Sequence, residues 1–567
     1  MASIPLMITS LLRAISVAAL GAIAGAASVA LAFALNPEFT LEMDRDLPRN
    51  VTGFYAPELI SSSENFVWTT GRATLSLPGL DRRVPWFCTI RVRGARSAPL
   101  PQPTVDISVD GVSGLRRTFS NDYEDVRVDI PQSARPGAVV TIATTPTFTP
   151  GPADPRELGV QVDRLQCRPE ARSVALPPRR AYKSGMIAGA LFGVAFGLIG
   201  ITAGSAAGAA VLLGVAQGWP LAAGASPYGP YPDRAPWLAL WIAASMLAAV
   251  TILEWHGRAP LRQTAKFAIA FSAGVLYLKL LAIMHPSTPI VDALFQAHRL
   301  EWVLAGRYFF TQPMPGGVEF PYAIGLYVFA APWAALARDH VSLLRIVVCA
   351  TGAVAGALVY PAIVRSTGDR LAGAIGSALF VAVPASAWVI QNGNLTNAFG
   401  GAMACITMAL VIIWSSPALR VVHLVMWTAV AALALLSHVS TFATLVVTLG
   451  AIAVLFWSFG GAPLRRPAIA LMAATLVAVI FAVAIYYGHF GELYLKALHV
   501  RDTSVAAAGP PPDVPRPAEP AATYRNQSFA VRAGRSLSLA AQATGWSMLI
   551  LAVVGGVRLV IRRSQGT

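Results

Sequence analysis

The sequence predicts a polytopic α-helical membrane protein with about 11–13 spans and an antiparallel β-sandwich or jelly-roll domain between the first and second spans. Apolar runs of about 20 residues, the length that crosses a bilayer, recur along the chain. Only 13% of the 567 residues are charged, whereas soluble domains carry about 25%. One polar segment, residues 36–183, interrupts this pattern. Together these features exclude a soluble enzyme, a fibrous protein and a disordered chain.

The first apolar run covers residues 7–35, and only Arg13 interrupts it, near its start. A secretory signal peptide has an apolar stretch of about 7–15 residues. This run is longer, and we therefore expect an uncleaved transmembrane anchor over residues 1–35.

The polar segment 36–183 alternates apolar and polar residues in short runs, for example Thr89–Arg93, and turn signals such as Asp110-Gly111 separate the runs. A period of two residues between such turns is typical of an antiparallel β-sandwich. Cys88 and Cys167 lie in this segment and can form a disulfide if it faces an oxidising compartment. The sequence alone leaves that pairing open. Cys349 and Cys405 fall in apolar spans.

The remaining chain is apolar with short interruptions. The run 184–216 is long enough for one tilted helix, but two short crossings also fit it. The predicted organisation is an N-terminal anchor (1–35), an extracytoplasmic β-sandwich (36–183), additional transmembrane helices (184–264), a transmembrane core with an outer loop at 286–341 (265–490), a Pro-rich extracytoplasmic loop (491–544), and a last helix with a cytoplasmic tail (545–567).

The net charge of +15 comes from 43 basic and 28 acidic residues, and most of the excess lies in short loops between spans. This pattern indicates cytoplasmic loops in contact with membrane lipids, and it argues against nucleic-acid binding. The loops with Arg258, Arg365, Arg420 and Arg465 are then cytoplasmic. The basic cluster Arg179, Arg180 and Lys183 falls on the outer side and does not fit this rule.

The outer loop 286–341 is the segment richest in candidate chemistry. Asp292, Gln296 and Arg299 have the spacing of one helix face, and His298 and Glu301 are three residues apart, so they could pair. A carboxylate near the membrane is costly unless it is used or paired. A general base that works at the outer face must therefore be one of the outward acids, which include Asp292 and Glu301. The alternative is an interfacial helix whose polar face is merely solvated.

An outward span, an Asp soon after it, a helix ending in Gly306-Arg307-Tyr308, a Pro-Tyr…Leu-Tyr stretch and a span led by Arg345 follow one another in residues 265–490. This order resembles the GT-C glycosyltransferases, particularly the branch with protein mannosyltransferases and aminoarabinose transferases. The resemblance implies transfer of a sugar from a polyprenyl-phosphate donor, with Asp292 as general base. That family usually has two adjacent acids, whereas Asp292 stands alone here. The resemblance therefore allows a divalent cation, but no metal ligands are assigned.

In that mechanism a lipid phosphate leaves, and cationic groups at the outer face must stabilise its charge. The candidates for binding the donor phosphate or the substrate are Arg299, His298, Glu301, Lys279, His438 and Asn394, together with Lys496 and Arg501. Lys279 could instead extend to the interface. His438 could be a hydrogen-bonded structural residue. The amides around Asn394 could bind sugar hydroxyls or only cap a helix.

The polar segment also carries a resemblance, in the phrase Asp154-Pro-Arg156-Glu-Leu-Gly159 that follows Thr149. This phrase is similar to the closing-strand motif of jelly-roll, carbohydrate-binding-module-like domains. Asp154 and Arg156 could equally pair to fix a loop. A sugar site needs exposed aromatic rings, and the candidates Trp68, Trp86, Tyr55 and Tyr123 could instead form the core.

The sequence therefore predicts a glycosyltransferase of the cytoplasmic membrane that acts on a cell-envelope glycan, lipid or protein acceptor at the extracytoplasmic side. The alternative is a non-catalytic transporter or flippase of lipid-linked glycans with a glycan-binding ectodomain. A transporter needs charged groups near mid-membrane, and the acids of this chain avoid the span centres, which favours the transferase. A structural envelope protein is a third interpretation.

Overall fold

The computed structural model describes residues 4–43, 51–59, 65–171, 174–313, 319–337 and 339–493, and three single positions, 531, 534 and 538. The predicted last helix and tail at 545–567, Lys496, Arg501 and nearly all of the Pro-rich loop lie outside these residues. The chain forms two compact units, which are described separately. One consists of Met1–Lys266 with Leu280–Thr288, and the other of Phe267–Lys279 with Pro289–Thr567.

The first unit begins with a long helix, as the sequence predicts, and the run 184–216 forms two helices. A break at Gly200, whose φ is +79°, separates these two helices. The helices are α1 (Ile4–Leu35), α2 (Arg179–Leu198), α3 (Ala203–Ala216), α4 (Gly218–Ala222) and α5 (Arg234–Gly257), with 3₁₀ turns at Ser226–Tyr228 and Tyr231–Asp233. Helix α6 (Gln263–Ile283) contributes its two ends to this unit, and its middle, Phe267–Lys279, belongs to the other unit.

Helices α1 and α2 run antiparallel, with glycines at their contact. A Cβ added at Gly189 would lie 2.1 Å from the carbonyl oxygen of Gly21, and one added at Gly185 would lie 2.9 Å from that of Gly25. Backbones this close are possible only where both helices present very small residues. The Ser28 hydroxyl of α1 donates a 2.7 Å hydrogen bond to the backbone carbonyl oxygen of Gly214 in α3.

The polar segment between α1 and α2 in sequence folds into an antiparallel β-domain, and this confirms the predicted sheet. Its strands are β1 (Phe39–Glu42), β2 (Val51–Phe54), β3 (Glu58–Leu59), β4 (Asn65–Leu77), β5 (Trp86–Arg93), β6 (Thr104–Val109), β7 (Val112–Thr118), β8 (Glu124–Ile130), β9 (Ala138–Thr145) and β10 (Gln161–Pro169). The strand order is β7-β6-β9-β4-β10-β5-β8, with β1 beside β10 and with β2 and β3 beside β4.

The two layers of this sandwich meet at β4. Its first part pairs with β10 at Val67 and Trp68, and its second part pairs with β9 from Arg72 to Leu77. Burial alternates along the strands, as it does along β5, where every second side chain from Trp86 onward is buried. This alternation places one face of each layer in a shared core, as expected for a sandwich with one solvated face per sheet.

A disulfide links Cys88 and Cys167, which are directly opposite each other on β5 and β10. Both side chains are fully buried. The pairing that the sequence left open is therefore present in the structure.

Replacing both Cys88 and Cys167 with alanine is expected to lower the free energy of unfolding of the β-domain by roughly 4 kcal/mol. The bond joins residues 79 positions apart, and breaking it releases a long loop in the unfolded chain. Thermal unfolding of the purified full-length protein, followed by near-ultraviolet circular dichroism, measures the change. Cys405→Ala removes a free thiol and serves as the control. An unchanged melting temperature in the double variant would contradict the structural role of the bond.

The β-domain is attached to the segment before α2 through Asp81, which is only 9% exposed. Its carboxylate accepts a 2.9 Å hydrogen bond from the backbone N–H of Leu176 and a 2.8 Å one from Nε of Arg83. The hydrogen bonds from Arg83, opposed by burial, lower the pKa of Asp81 to about 2. In the same unit, the Phe39 and Tyr228 rings lie 4.3 Å apart. Charged and aromatic contacts therefore both join the sandwich to the helices of its unit.

The second unit is helical apart from one short hairpin. Its elements are α7 (Ala293–Leu304), β11 (Thr311–Pro313), β12 (Glu319–Pro321), α8 (Gly325–Ala330), α9 (His340–Thr367), α10 (Arg370–Ala382), α11 (Pro384–Gln391), α12 (Leu395–Trp414), α13 (Val421–Leu435), α14 (Val439–Phe459) and α15 (Gly461–Ile485), with 3₁₀ turns at Ala331–Leu336 and Tyr487–Phe490.

Across the described residues, ten helices are long and apolar enough to cross a membrane. They make the chain an integral membrane protein. One segment predicted as a span, 421–437, forms the shorter apolar helix α13 of 15 residues. The predicted total of about 11–13 spans also includes the segment at 545–561, which lies outside the described residues.

Candidate functional site

Asp292 occupies the position just before α7. Val291, immediately before it, has a φ of +39°, a conformation that β-branched residues rarely adopt. The Asp292 side chain is exposed and does not cap the helix. Within the described ranges, no side chain forms an ion pair or hydrogen bond with its carboxylate. The carboxylate is therefore available to accept a proton or a hydrogen bond from a bound molecule.

The turn between α11 and α12 lies directly against Asp292. Gly393 has a φ of +78°, and a Cβ added there would lie 2.5 Å from the backbone nitrogen of Ala293 and 2.7 Å from the carbonyl carbon of Asp292. The neighbouring Asn392 and Asn394 are exposed. Asn394 precedes α12, but its side chain makes no capping hydrogen bond. The structure thus brings together two parts of the predicted site that are about a hundred residues apart in sequence.

Arg299 lies two turns along α7 and is 7% exposed. Its guanidinium carbon is 4.0 Å from the ring centre of Trp302, 4.6 Å from that of Phe295 and 5.0 Å from that of Phe310. Nη2 donates a 3.5 Å hydrogen bond to the carbonyl oxygen of Thr311. Nε and Nη1 of Arg299 make no hydrogen bond with any of the described residues. Burial lowers the pKa of Arg299 from its usual value.

A buried hydrogen-bond network that the sequence did not reveal surrounds Gln296. Its Nε2 donates to the Tyr322 hydroxyl at 2.9 Å, and its Oε1 accepts from the Tyr327 hydroxyl at 2.5 Å. The Tyr486 hydroxyl donates to the backbone carbonyl of Tyr322 at 2.5 Å. This network fixes α7 relative to α8 and the end of α15. The Pro-Tyr…Leu-Tyr stretch contained two of its members, but no local signal connected Tyr486 to them.

The other two predicted residues of α7 lie apart from this network. His298 is exposed, and Glu301 has its Oε1 3.3 Å from Nδ1 of His340. The suggested pairing of His298 with Glu301 is wrong within the described structure, because Glu301 contacts α9 instead. These two side chains lie on the exposed part of the helix surface.

Lys279 is partly buried and donates a 2.6 Å hydrogen bond from Nζ to the hydroxyl of Ser386. The Ser386 hydroxyl in turn donates to the backbone carbonyl of Val383. This hydrogen bond holds the Lys279 side chain inside its unit. The side chain therefore does not extend freely to the membrane interface, which was the alternative.

His438 begins α14 and caps it, since its Nδ1 accepts a 3.2 Å hydrogen bond from the backbone N–H of Ser440. Burial lowers the pKa of His438. A ring whose Nδ1 is an acceptor carries its proton on Nε2 and is neutral. His438 is therefore a hydrogen-bonded structural residue, the alternative given for it above. At neutral pH its ring supplies no positive charge to a phosphate.

No three His, Cys, Asp or Glu side chains converge as metal ligands in the described part of the chain. Around Asp292 the described side chains do not form a ligand set for a divalent cation.

In the β-domain, Trp68 and Trp86 belong to the core, whereas Tyr55 and Tyr123 are half-buried. The Arg156 guanidinium lies 5.3 Å from the Tyr55 ring centre. Arg156 also pairs with Asp154 at 2.7 Å and with Glu58 at 2.8 Å. Hydrogen bonds between Asp154 and Arg156 lower the pKa of that carboxyl. The Asp154–Arg156 pair thus fixes a loop, as the structural alternative expected.

No family model matches the chain, and no curated protein matches its sequence. Among solved structures it is similar to the C-terminal CBM6 of LamC, a laminarinase of Zobellia galactanivorans, with 11% identity over 23% of this chain and 98% of that one, at a TM-score of 0.16.

A family 35 carbohydrate-binding module from Clostridium thermocellum is similar with 11% identity over 23% of this chain and 96% of its own, also at a TM-score of 0.16. The Podospora anserina GH26-CBM35 β-(1,4)-mannanase is similar with 10% identity over 24% of this chain and 28% of its own, at 0.15. TM-scores this low do not establish a shared fold.

Proposed function

We propose that this protein is a membrane glycosyltransferase that moves a sugar from a polyprenyl-phosphate donor to a cell-envelope acceptor on the extracytoplasmic side. The observation that carries the proposal is the exposed carboxylate of Asp292, which has no partner among the described residues and has the Asn392–Asn394 turn packed against its backbone. Arg299, a buried cation with two nitrogens that make no hydrogen bond within the described part of the chain, lies on the same helix. Transfer from a phosphate-linked sugar needs a base, hydrogen-bonding groups for the sugar and a cation for the phosphate. The Asn392–Asn394 turn contacts the base through its backbone, and the cation lies seven residues further along the same helix.

The helix count supports the proposed orientation. If α2 and α3–α4 are separate crossings, the β-domain and Asp292 face one side of the membrane. If the shorter helix α13 crosses as well, the loops with Arg258, Arg365, Arg420 and Arg465 all face the other side, in agreement with the positive-inside rule. The Cys88–Cys167 disulfide suits an oxidising, extracytoplasmic compartment. The proposed location is therefore the cytoplasmic membrane, with both the β-domain and the reaction outside.

In the proposed reaction the hydroxyl oxygen of the acceptor attacks the anomeric carbon of the donor sugar. The new glycosidic bond forms as the bond from that carbon to the lipid-phosphate oxygen breaks. The proton of the acceptor passes to the Asp292 carboxylate, and the electron pair leaves with the lipid phosphate. Arg299 and Lys279 are the cations assigned to the departing phosphate, whereas the neutral His438 is not. The Asn394 amide would hydrogen-bond sugar hydroxyls. No step uses a metal ion.

The positions of the acidic residues favour a transferase over a transporter. Within the ten candidate spans of the described chain, the acids are Asp233 and Glu254. Both lie within a turn of the ends of their helix, and they pair with Arg180 and Lys266, respectively. An alternating-access transporter typically places its coupling charges near the midplane.

The proposal is tested by the glycan composition of the envelope in a strain that lacks the protein. That strain is complemented with the wild type, with Asp292→Asn, or with Glu492→Gln, which alters another exposed carboxylate, and membrane levels are matched. We expect one sugar to be lost and then restored by the wild type and by Glu492→Gln, but not by Asp292→Asn. Full restoration by Asp292→Asn would remove Asp292 as the base and favour the transporter.

Gly393→Ala is expected to reduce this transfer at least tenfold while the protein still folds. Its new methyl group would meet the backbone of Asp292 and Ala293 and displace the turn that carries Asn392 and Asn394. Gly306→Ala is the matched control, because Gly306 has a similar φ of +79° but open space around it. The measurement is the rate of sugar transfer by the two purified variants at the same protein concentration. Equal rates would show that the turn does not shape the site.

A further inference from the structure

Four cations lie at neighbouring ends of α2 and α5 in the first unit, where the proposed orientation places the outer membrane surface. Arg179, Arg180 and Lys183 belong to the first turns of α2, and Arg234 begins α5. Arg180 joins the two helix ends, since its Nε donates a 2.5 Å hydrogen bond to the Asp233 carboxylate. The positive-inside rule does not account for cations on this side.

Arg179 and Lys183 are the part of this cluster that lacks local compensation. They are one helical turn apart, and both are exposed. Within the described residues, no carboxylate pairs with either of them. Like charges at this spacing are unfavourable by a few tenths of a kcal/mol, and cations at a helix N-terminus oppose the helix dipole. An anion bound between them would remove both penalties.

Below these cations, α2 presents an apolar stripe to the outside. Met186, Ile187, Val194 and Leu198 are exposed by 38–48%, and their spacing places them on the same helix face as Lys183. The opposite face, with Gly185 and Gly189, packs on α1. The face of α2 that carries the cations thus continues into a surface suited to acyl chains.

Exposed tryptophans mark the same level of the membrane. Trp219 and Trp237 are each 62% exposed, and Trp241 is 67% exposed. Trp237 and Trp241 follow Arg234 by one and two turns of α5. Tryptophan is enriched where headgroups meet the hydrocarbon core. This belt therefore places Arg179, Lys183 and Arg234 at headgroup depth.

We infer that the outer ends of α2 and α5 form a binding site for the headgroup of an anionic phospholipid. Arg179 and Lys183 donate hydrogen bonds to the phosphate, Arg234 adds positive charge, and the acyl chains lie along the apolar stripe of α2. The site involves none of the residues assigned to sugar transfer, so it stands or fails independently of that reaction.

The test uses the purified full-length protein in detergent and measures its melting temperature with added phosphatidylglycerol, phosphatidylcholine or inorganic phosphate. Phosphatidylglycerol is expected to raise the melting temperature of the wild type by several degrees, and phosphatidylcholine by much less. The shift should be mostly lost in Arg179→Gln/Lys183→Gln. It should persist in Arg116→Gln/Arg135→Gln, which removes two exposed arginines of the β-domain.

Three outcomes would overturn the inference. An equal shift in Arg179→Gln/Lys183→Gln would place the lipid elsewhere, and an equal shift with phosphatidylcholine would indicate general solvation by lipid. An equal shift with inorganic phosphate alone would show a phosphate site that does not depend on the membrane. If the double variant shows no melting transition, the same measurement is made on Arg179→Lys. This variant keeps the positive charge and should retain the shift caused by phosphatidylglycerol.

Discussion

Replacing Gly189 with leucine is expected to destabilise the first unit by roughly 3 kcal/mol or more. The atoms that meet the new side chain belong to the backbone of α1, since even a Cβ at this position would lie 2.1 Å from the carbonyl oxygen of Gly21. A side chain cannot move these atoms aside by changing a rotamer. The helices must separate, and the buried contacts between α1, α2 and α3 are lost along their length.

Gly208→Ala provides the matched control for this change. Gly208 lies in α3, and a Cβ added there has no neighbour within 4 Å, so alanine should be neutral or slightly stabilising. Thermal unfolding and monodispersity of both variants, purified in the same detergent, measure the difference. A Gly189→Leu protein that melts within two degrees of the wild type, about the effect of 1 kcal/mol in a unit of this size, would contradict the close packing of α1 on α2.

The elements of the fold that could be predicted are those with a strong local period. The alternation in Thr89–Arg93 predicted a strand there, and the structure has β5 over Trp86–Arg93. The run 184–216 was ambiguous because its composition is uniformly apolar and small. What divides it is the left-handed conformation of Gly200, and many glycines in this run could have adopted it.

The candidate site could be predicted only where one residue type carried the signal. The scarcity of acids outside the β-domain left a small set of outward acids, and the resemblance singled out Asp292, whose role stays a prediction. Its contact with Gly393 could not be found, since it depends on how two distant turns pack. The sequence did not show whether His438 carries a charge. A histidine just before a helix can either bind an anion or cap the helix through Nδ1. The partners of Gln296 required the fold, since Tyr486 lies far along the chain.

The second large effect expected is the loss of catalysis in Asp292→Asn. A positioned general base contributes roughly 10²–10⁴-fold to a rate, and asparagine keeps the shape of the side chain but cannot take the proton. The Asp292 side chain is exposed and has no described partner, so the folded protein should be unaffected and the melting temperature unchanged.

The most direct measurement is the rate of sugar transfer by purified wild type and Asp292→Asn in lipid nanodiscs, with Glu492→Gln as the control. The donor is the lipid-linked sugar fraction extracted from membranes of the strain that lacks the protein. The account predicts transfer by the wild type and by Glu492→Gln, and a rate at least a hundredfold lower in Asp292→Asn. Transfer by Asp292→Asn at more than a tenth of the wild-type rate, or no transfer by the wild type, would contradict it.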